Sequence, residues 1–430
     1  MKIAWFKRVI TPEIGTTIAG YGVHDVTVVK TDDLYMTGLC ADDGTDRVLL
    51  VSFDLIGMDA WTVGRLRGKC AEALGVKPAN VLLTCTHNHT GPQTRTLARA
   101  PEVLNTAYLD RLEAALLEEI AGMTDFRECD AYFYSAKVDE NRSRRYVTAC
   151  NHASFTPHRR EVVPIVTEYA DKELGQLCFV EPETRTPLYV IGNYAAHPLA
   201  GHAPGLGSHK LSADFPGAFR DYVTAETAAE CMFISGACGD LVPKEDELGA
   251  GAVRQMGENL GKAAIGGLID CVRNPGRFRM PDARVGGIIR TAHVPIRKNK
   301  KASLPPYYQG MDAVDLEMQI VSIGDVCFVG VPGELTCELG QEIKWHSPFR
   351  RAFIAYCSTG YIDYLVSVNM MVAGGYEGYS QCMTARCGLM LLNAAADGMF
   401  ELRDSLYPAP EGDCYPDCLV SPLVDVPPNR

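Results

Sequence analysis

Two spacings of apolar residues alternate along the chain. Residues 47–54 and 80–86 are short, nearly continuous apolar runs, the pattern of strands buried on both faces. Between them Val63, Leu66, Cys70 and Leu74 recur every three or four positions, which predicts a helix with one buried face. A second helix is predicted from Ala107 to Met123, with Tyr108, Leu112, Leu116 and Ile120 on one side. Further strands are predicted at 131–138, 163–169, 175–180, 188–195 and 231–235. Helices are predicted after Pro216 and from Val253 to Val272. Beyond residue 278 strands dominate, at 283–296, 316–323 and 326–331, the last two joined by Gly324-Asp325, a hairpin signal. These patterns predict an α/β fold with a mixed β-sheet core, flanking helices and a strand-rich C-terminal half. One domain over 1–430 is expected. Its candidate internal boundary is at 297–310, where the charged run 297–301 reads as a solvated loop, and its tail, 380–430, is expected to wrap the surface.

Composition narrows the function. The 430 residues carry 41 Lys+Arg against 53 Asp+Glu, a net charge of −12, so a nucleic-acid phosphate backbone would be repelled. No apolar run approaches the ~18 residues that span a bilayer. The first eight residues include Lys2, Lys7 and Arg8, too early a charge for a signal peptide, so the expected location is the cytoplasm. In that compartment the 16 cysteines stay reduced and pack as small hydrophobes. The close pairs Cys382/Cys387 and Cys414/Cys418 are the best candidates for any metal knot.

Three strand ends carry candidate chemistry. His87 and His89 follow the run 80–86, and in extended backbone residues i and i+2 face one side. His197 closes the strand at 188–195 and is fixed by Pro198. Glu334 follows the run 326–331 and the turn Pro332-Gly333. Two histidines and a glutamate are a known open zinc set, leaving one position for a water whose pKa falls to about 7. Spacing alone leaves open whether the three segments meet.

The ordered motifs 14–21, 51–54, 86–92, 141–143, 193–197, 211–217, 236–240, 332–334, 360–362 and 376–378 resemble the neutral/alkaline (non-lysosomal) ceramidase family, specifically its N-terminal zinc hydrolase domain. The resemblance implies a single zinc ion held by His87, His197, Glu334 and Tyr361. It places His89 beside the metal as a proton-transfer group and Arg142 toward the substrate carbonyl or polar head. The family's serine in its Gly-Asp-x-Ser motif is replaced by Val242, which can neither attack nor donate a hydrogen bond.

Several neighbours have two readings. Asp240 either orients a ligand histidine or caps a turn, and Asp54 either supports the site or packs a strand end. Asp214 reads as the cap of the helix at Pro216. His202 and His209 read as rim residues. Arg95, Arg99, Arg144 and Arg145 read as solvated loop charge ahead of cations offered to an anionic substrate. The expected function is zinc-dependent hydrolysis of an amide or ester in a small, polar substrate. The alternatives are a lactone or sugar-derivative hydrolase, or a binding protein on the same scaffold.

Overall fold

The computed structural model describes residues 1–148, 153–154, 164–167, 169–201, 209–244 and 248–408. Three main sheets form its centre. The first holds β1 (Lys2–Val9), β2 (Tyr35–Asp42), β3 (Arg47–Phe53) and β4 (Val81–Cys85) in the order 4-3-2-1. The second holds β5 (Asp130–Lys137), β7 (Glu173–Val180), β8 (Pro187–Tyr194) and β9 (Glu230–Ser235), in the order 9-8-7-5. The short strand β6 (Asn141–Ser143) pairs with β10 (Leu241–Pro243) beside it. The third sheet holds β11 (Val285–Pro295), β12 (Ala313–Ile323), β13 (Val326–Gly330) and, after the two-residue β14 (Glu334–Leu335), β15 (Arg351–Ala355). Its order is 11-12-13-15.

Each sheet is antiparallel except for one parallel pair: β3/β4, β8/β9 and β13/β15. Ligand sites in α/β folds gather at the carboxyl ends of parallel strands, and here three such ends are tied together. Ser235 Oγ donates to the Thr86 carbonyl (2.8 Å) and the Tyr356 amide to the Ser235 carbonyl (3.1 Å). Thr84 Oγ1 donates to the Tyr356 carbonyl (2.7 Å), and Asn193 Nδ2 to the carbonyls of Ile234 and Ile354 (2.9 Å each). These side chains satisfy backbone groups that the ends of the ladders would otherwise leave unpaired. Leu50, Leu82, Ile191, Ile234, Phe328 and Phe353 fill the space shared by all three sheets.

Helices cover the outer faces. α1 (Ala60–Leu74) and α2 (Thr106–Gly122) turn their buried positions, among them Val63, Leu66, Leu112 and Leu116, to the first sheet's side of the core. α1 stops at Gly75, whose left-handed φ of 68° brings the Val76 amide onto the Ala71 carbonyl (3.0 Å). α3 (Asp214–Thr227) and α4 (Ala250–Arg273) pack on each other and on the second sheet, and α5 (Cys337–Trp345) lies by β15. The mixed-sheet α/β class expected from the pattern is the fold observed.

Two expectations about the C-terminal third change. Within 380–430, expected to wrap the surface, the structure has α6 (Cys387–Leu406), which buries Leu391, Ala395, Met399 and Leu402 over β11 and β12. Gly398 lies so close that an added Cβ would sit 2.6 Å from Ile320 Cδ1. Positions from 409 onward, with Cys414 and Cys418, lie outside the described residues, as do Cys150 and His202. The charged run at 297–301 is docked at two positions and solvated between them: Arg297 donates to the carbonyls of Gly378 (3.1 Å) and Gln381 (2.9 Å), and Lys300 is buried, while Lys298 and Asn299 are exposed. All 13 described cysteines are buried and unpaired, Cys382 and Cys387 among them.

Candidate metal centre

Four side chains from three strand ends meet in one buried place. After β4 the chain turns at His87, which takes a left-handed φ of 65°, rare for a residue with a Cβ. The sequence expected an extended backbone to align His87 with His89; this turn does so instead, bringing the two Nε2 atoms to 3.1 Å. Asn88 locks the turn, donating to the Ser212 carbonyl (2.7 Å) and accepting from the amide and hydroxyl of Thr90. His87 Nδ1 faces the Ile56 carbonyl at 2.8 Å. His197, just beyond β8, turns Nδ1 to the carbonyls of Cys238 (2.6 Å) and Leu241 (3.1 Å). A carbonyl partner assigns the ring proton to Nδ1 in both and leaves each Nε2 lone pair facing inward.

Glu334 closes the set. Its Oε2 lies 3.4 Å from His87 Nε2 and 3.3 Å from His197 Nε2, while Oε1 accepts a short hydrogen bond from the Tyr361 hydroxyl. The Tyr361 ring stacks beside His87, with centroids 6.0 Å apart. Ligand atoms of His87, His89 and His197 all lie within 4.8 Å of one another. Thus the structure brings together five of the seven residues singled out in the sequence. Tyr361 is legible there only through the family resemblance, because a tyrosine past an apolar strand reads as core.

This arrangement could hold a cation at its centre. Burial pushes the His197 imidazole down to about 4, and burial next to His87 and His197 holds His89 well below the usual range. Burial acts to raise the Glu334 carboxyl, but the facing His87 and His197 outweigh it and hold the group well below its ordinary value. With both Nδ1 atoms committed to carbonyls, two imidazole Nε2 lone pairs face a carboxylate oxygen that has no hydrogen-bond partner. Like-signed lone pairs in a dry site repel, and a bound divalent ion turns the same atoms into ligands. The donor set of imidazole nitrogen, carboxylate and phenol oxygen suits zinc. Backbone carbonyls on the remote ring nitrogens are the usual means of fixing such ligands.

The other candidates fall outside the cluster. The Asp240 carboxylate accepts the Cys337 amide (2.7 Å) and so caps α5; the carbonyls on either side of it, not its side chain, hold His197. Arg142 lies on β6 opposite Val242. Asp54 forms a buried bidentate pair with Arg220 (2.9 and 2.5 Å). Asp214, at the start of α3, has a φ of 52° and accepts from the amides of Gly201 (2.7 Å) and Phe215 (2.7 Å). His209 bonds the Val26 carbonyl. Arg144 and Arg145 are not solvated: both are buried against Glu377, a partner more than 200 residues away that local sequence cannot reveal.

Gly20 makes room for His89. With a φ of 88°, a Cβ there would lie 2.3 Å from His89 Nδ1, whereas Gly15, with a φ of 92°, has open space around it. Gly15→Ala is expected to lose only the left-handed penalty of about 1–2 kcal/mol. Gly20→Ala is expected to lose that and also to weaken zinc binding. Chemical denaturation and zinc titration of the two variants check this, and equal zinc affinities would contradict the cradle.

No protein-family model and no curated protein matches the chain. Solved structures do. Neutral ceramidase from Pseudomonas aeruginosa aligns over 97% of this chain and 76% of its own, with a TM-score of 0.77 and 15% identity. A ceramidase complexed with C2 aligns over 97% and 77%, with a TM-score of 0.78 and 14% identity. At that identity the likeness is one of fold.

Proposed function

We propose that this chain is a metal-dependent hydrolase that cleaves an amide or ester bond in a small or polar substrate. One zinc ion would be held by His87, His197, Glu334 and Tyr361. The observation that carries the reading is the convergence of His87 Nε2 and His197 Nε2 on Glu334 Oε2 within 3.4 Å, with both Nδ1 atoms already committed to carbonyls. The fold likeness to ceramidases, which are hydrolases, agrees with it. Bound there, zinc supplies Lewis acidity to a carbonyl and lowers the pKa of a water toward about 7.

The protein's own groups supply the rest. His89, neutral in its buried setting, takes up the proton of the attacking water at Nε2 and returns it to the leaving group. Its Nδ1 makes no hydrogen bond among the described residues. Arg142 meets the substrate carbonyl or polar head. Its strand is anchored to the His197 segment, because the adjacent Asn141 donates to the Ala195 carbonyl (2.5 Å). Val242, directly across from Arg142, provides no hydroxyl, so the chemistry relies on activated water and not on a serine nucleophile there. Among the described residues no helix is long and apolar enough to cross a membrane.

A panel of chromogenic short-chain esters, anilides and lactones tests the reading. Hydrolysis of at least one is expected to fall to background after treatment with a chelator and to return with added zinc. Turnover that survives complete metal removal would contradict it.

A further inference from the structure

The sequence places four arginines after the site motifs, and the structure separates them. Arg144 and Arg145 are engaged with Glu377, and Arg99 is exposed on the surface. Arg95 alone of the four stands at the metal centre. Its guanidinium carbon lies 4.1 Å from the centroid of the Tyr361 ring, whose hydroxyl bonds Glu334. Arg95 Nε is buried and has no hydrogen-bond partner, and no carboxylate among the described residues is close enough to form an ion pair with it. By contrast, Arg144 and Arg145 share Glu377, and Arg220 has Asp54.

Arg95 is partly exposed, so a ligand can reach its fork, and a well-placed anion gains charge-assisted hydrogen bonds there. Two carboxylates act on Arg95 without forming an ion pair with it, Asp363 and Glu334; that of Asp363 accepts the Tyr364 amide, and that of Glu334 is committed to the two histidines and the tyrosine. Two positive charges from zinc are balanced by that carboxylate and, once it is deprotonated, the phenol. The charge of Arg95 is then faced by Asp363, which makes no ion pair with it. The fork of an arginine also matches a carboxylate in a way a lysine does not.

We propose that Arg95 is the anion-binding subsite of this centre and that the substrate carries a carboxylate close to its scissile bond. The assignment rests on the metal-hydrolase reading above and adds the substrate class to it. Binding, rather than turnover, tests it. The probes are the monohydroxamates of malonate, succinate and glutarate, each paired with the alkyl hydroxamate of equal length, titrated calorimetrically into the zinc-loaded protein.

Both members of each pair bring the same zinc-binding group, so their ratio reports the carboxylate alone. The best of the three is expected to bind about tenfold or more tighter than its neutral partner, the range for hydrogen bonds to charged groups. In Arg95→Gln the ratio is expected to fall to near unity, with the neutral hydroxamate still bound, and Arg95→Lys is expected to keep part of the preference. Equal binding of acid and neutral probes to the wild-type protein overturns the anion subsite while leaving the metal centre standing. A preference that persists undiminished in Arg95→Gln also overturns it. Binding of neither probe to a protein that retains no zinc overturns the metal reading and the subsite with it.

Discussion

Glu377→Ala is expected to cost about 3–5 kcal/mol of folding free energy, the loss typical of breaking a buried charge cluster from one side. Glu377 is fully buried, and its carboxylate spans two guanidiniums, with Oε1 at 2.8 Å from Arg144 Nε and Oε2 at 2.7 Å from Arg145 Nη1. Alanine would take from both cations, in a dry interior, the carboxylate they share, and a buried charge deprived of a partner is expensive. Glu377→Gln keeps the shape and one acceptor oxygen, and an intermediate loss is expected. The damage also reaches the metal. Arg144 donates through Nη2 to the Gly239 carbonyl (2.6 Å) and through its amide to the Asp240 carbonyl (2.9 Å). That turn presents the Cys238 and Leu241 carbonyls that set the proton of His197. Urea denaturation read by fluorescence measures the first effect and zinc titration the second. A midpoint shift worth less than about 1 kcal/mol would show that the cluster is not holding the two segments together.

His87→Ala is expected to weaken zinc binding by more than the 10–100-fold that follows loss of a residue merely orienting a ligand. The His87 imidazole is central to the site: its Nε2 faces both His89 Nε2 and Glu334 Oε2, and its ring stacks beside Tyr361. Zinc at 100 times its Kd is expected to stabilise the wild-type fold by about 2.7 kcal/mol, and the variant not measurably at the same concentration. Thermal unfolding with and without zinc checks this, and equal shifts in the two proteins would contradict it.

What the sequence discloses depends on how far apart the partners lie. The strands at 47–54 and 80–86, the hairpin at Gly324-Asp325 and the helices ending near Leu74 and Met123 are local patterns, and the structure places them within a few residues. His87, His197 and Glu334 stand out because each follows a buried strand abruptly. That they meet follows from the three parallel pairs, and no single segment records it. β1 passes unread because its alternation is interrupted by Lys7 and Arg8 at the edge of the core. α6 passes unread because the Pro- and Asp-rich stretch after Tyr407 gives the whole C-terminal end the look of a tail. Charged residues mislead most. Arg144, Arg145 and Lys300 look like solvent-facing loop charge, since the groups that bury them come from distant segments. Asp240 looks like a partner for His197 through proximity in the chain, whereas its carboxylate is turned to the start of α5.

The metal content of wild-type protein, after loading with zinc and exhaustive dialysis, tests the central claim most directly when measured beside His87→Ala. About one equivalent per wild-type chain, and a small fraction of that in the variant, is the predicted result for a site with three or four protein ligands. Less than about half an equivalent in the wild type, unchanged by the substitution, would contradict it.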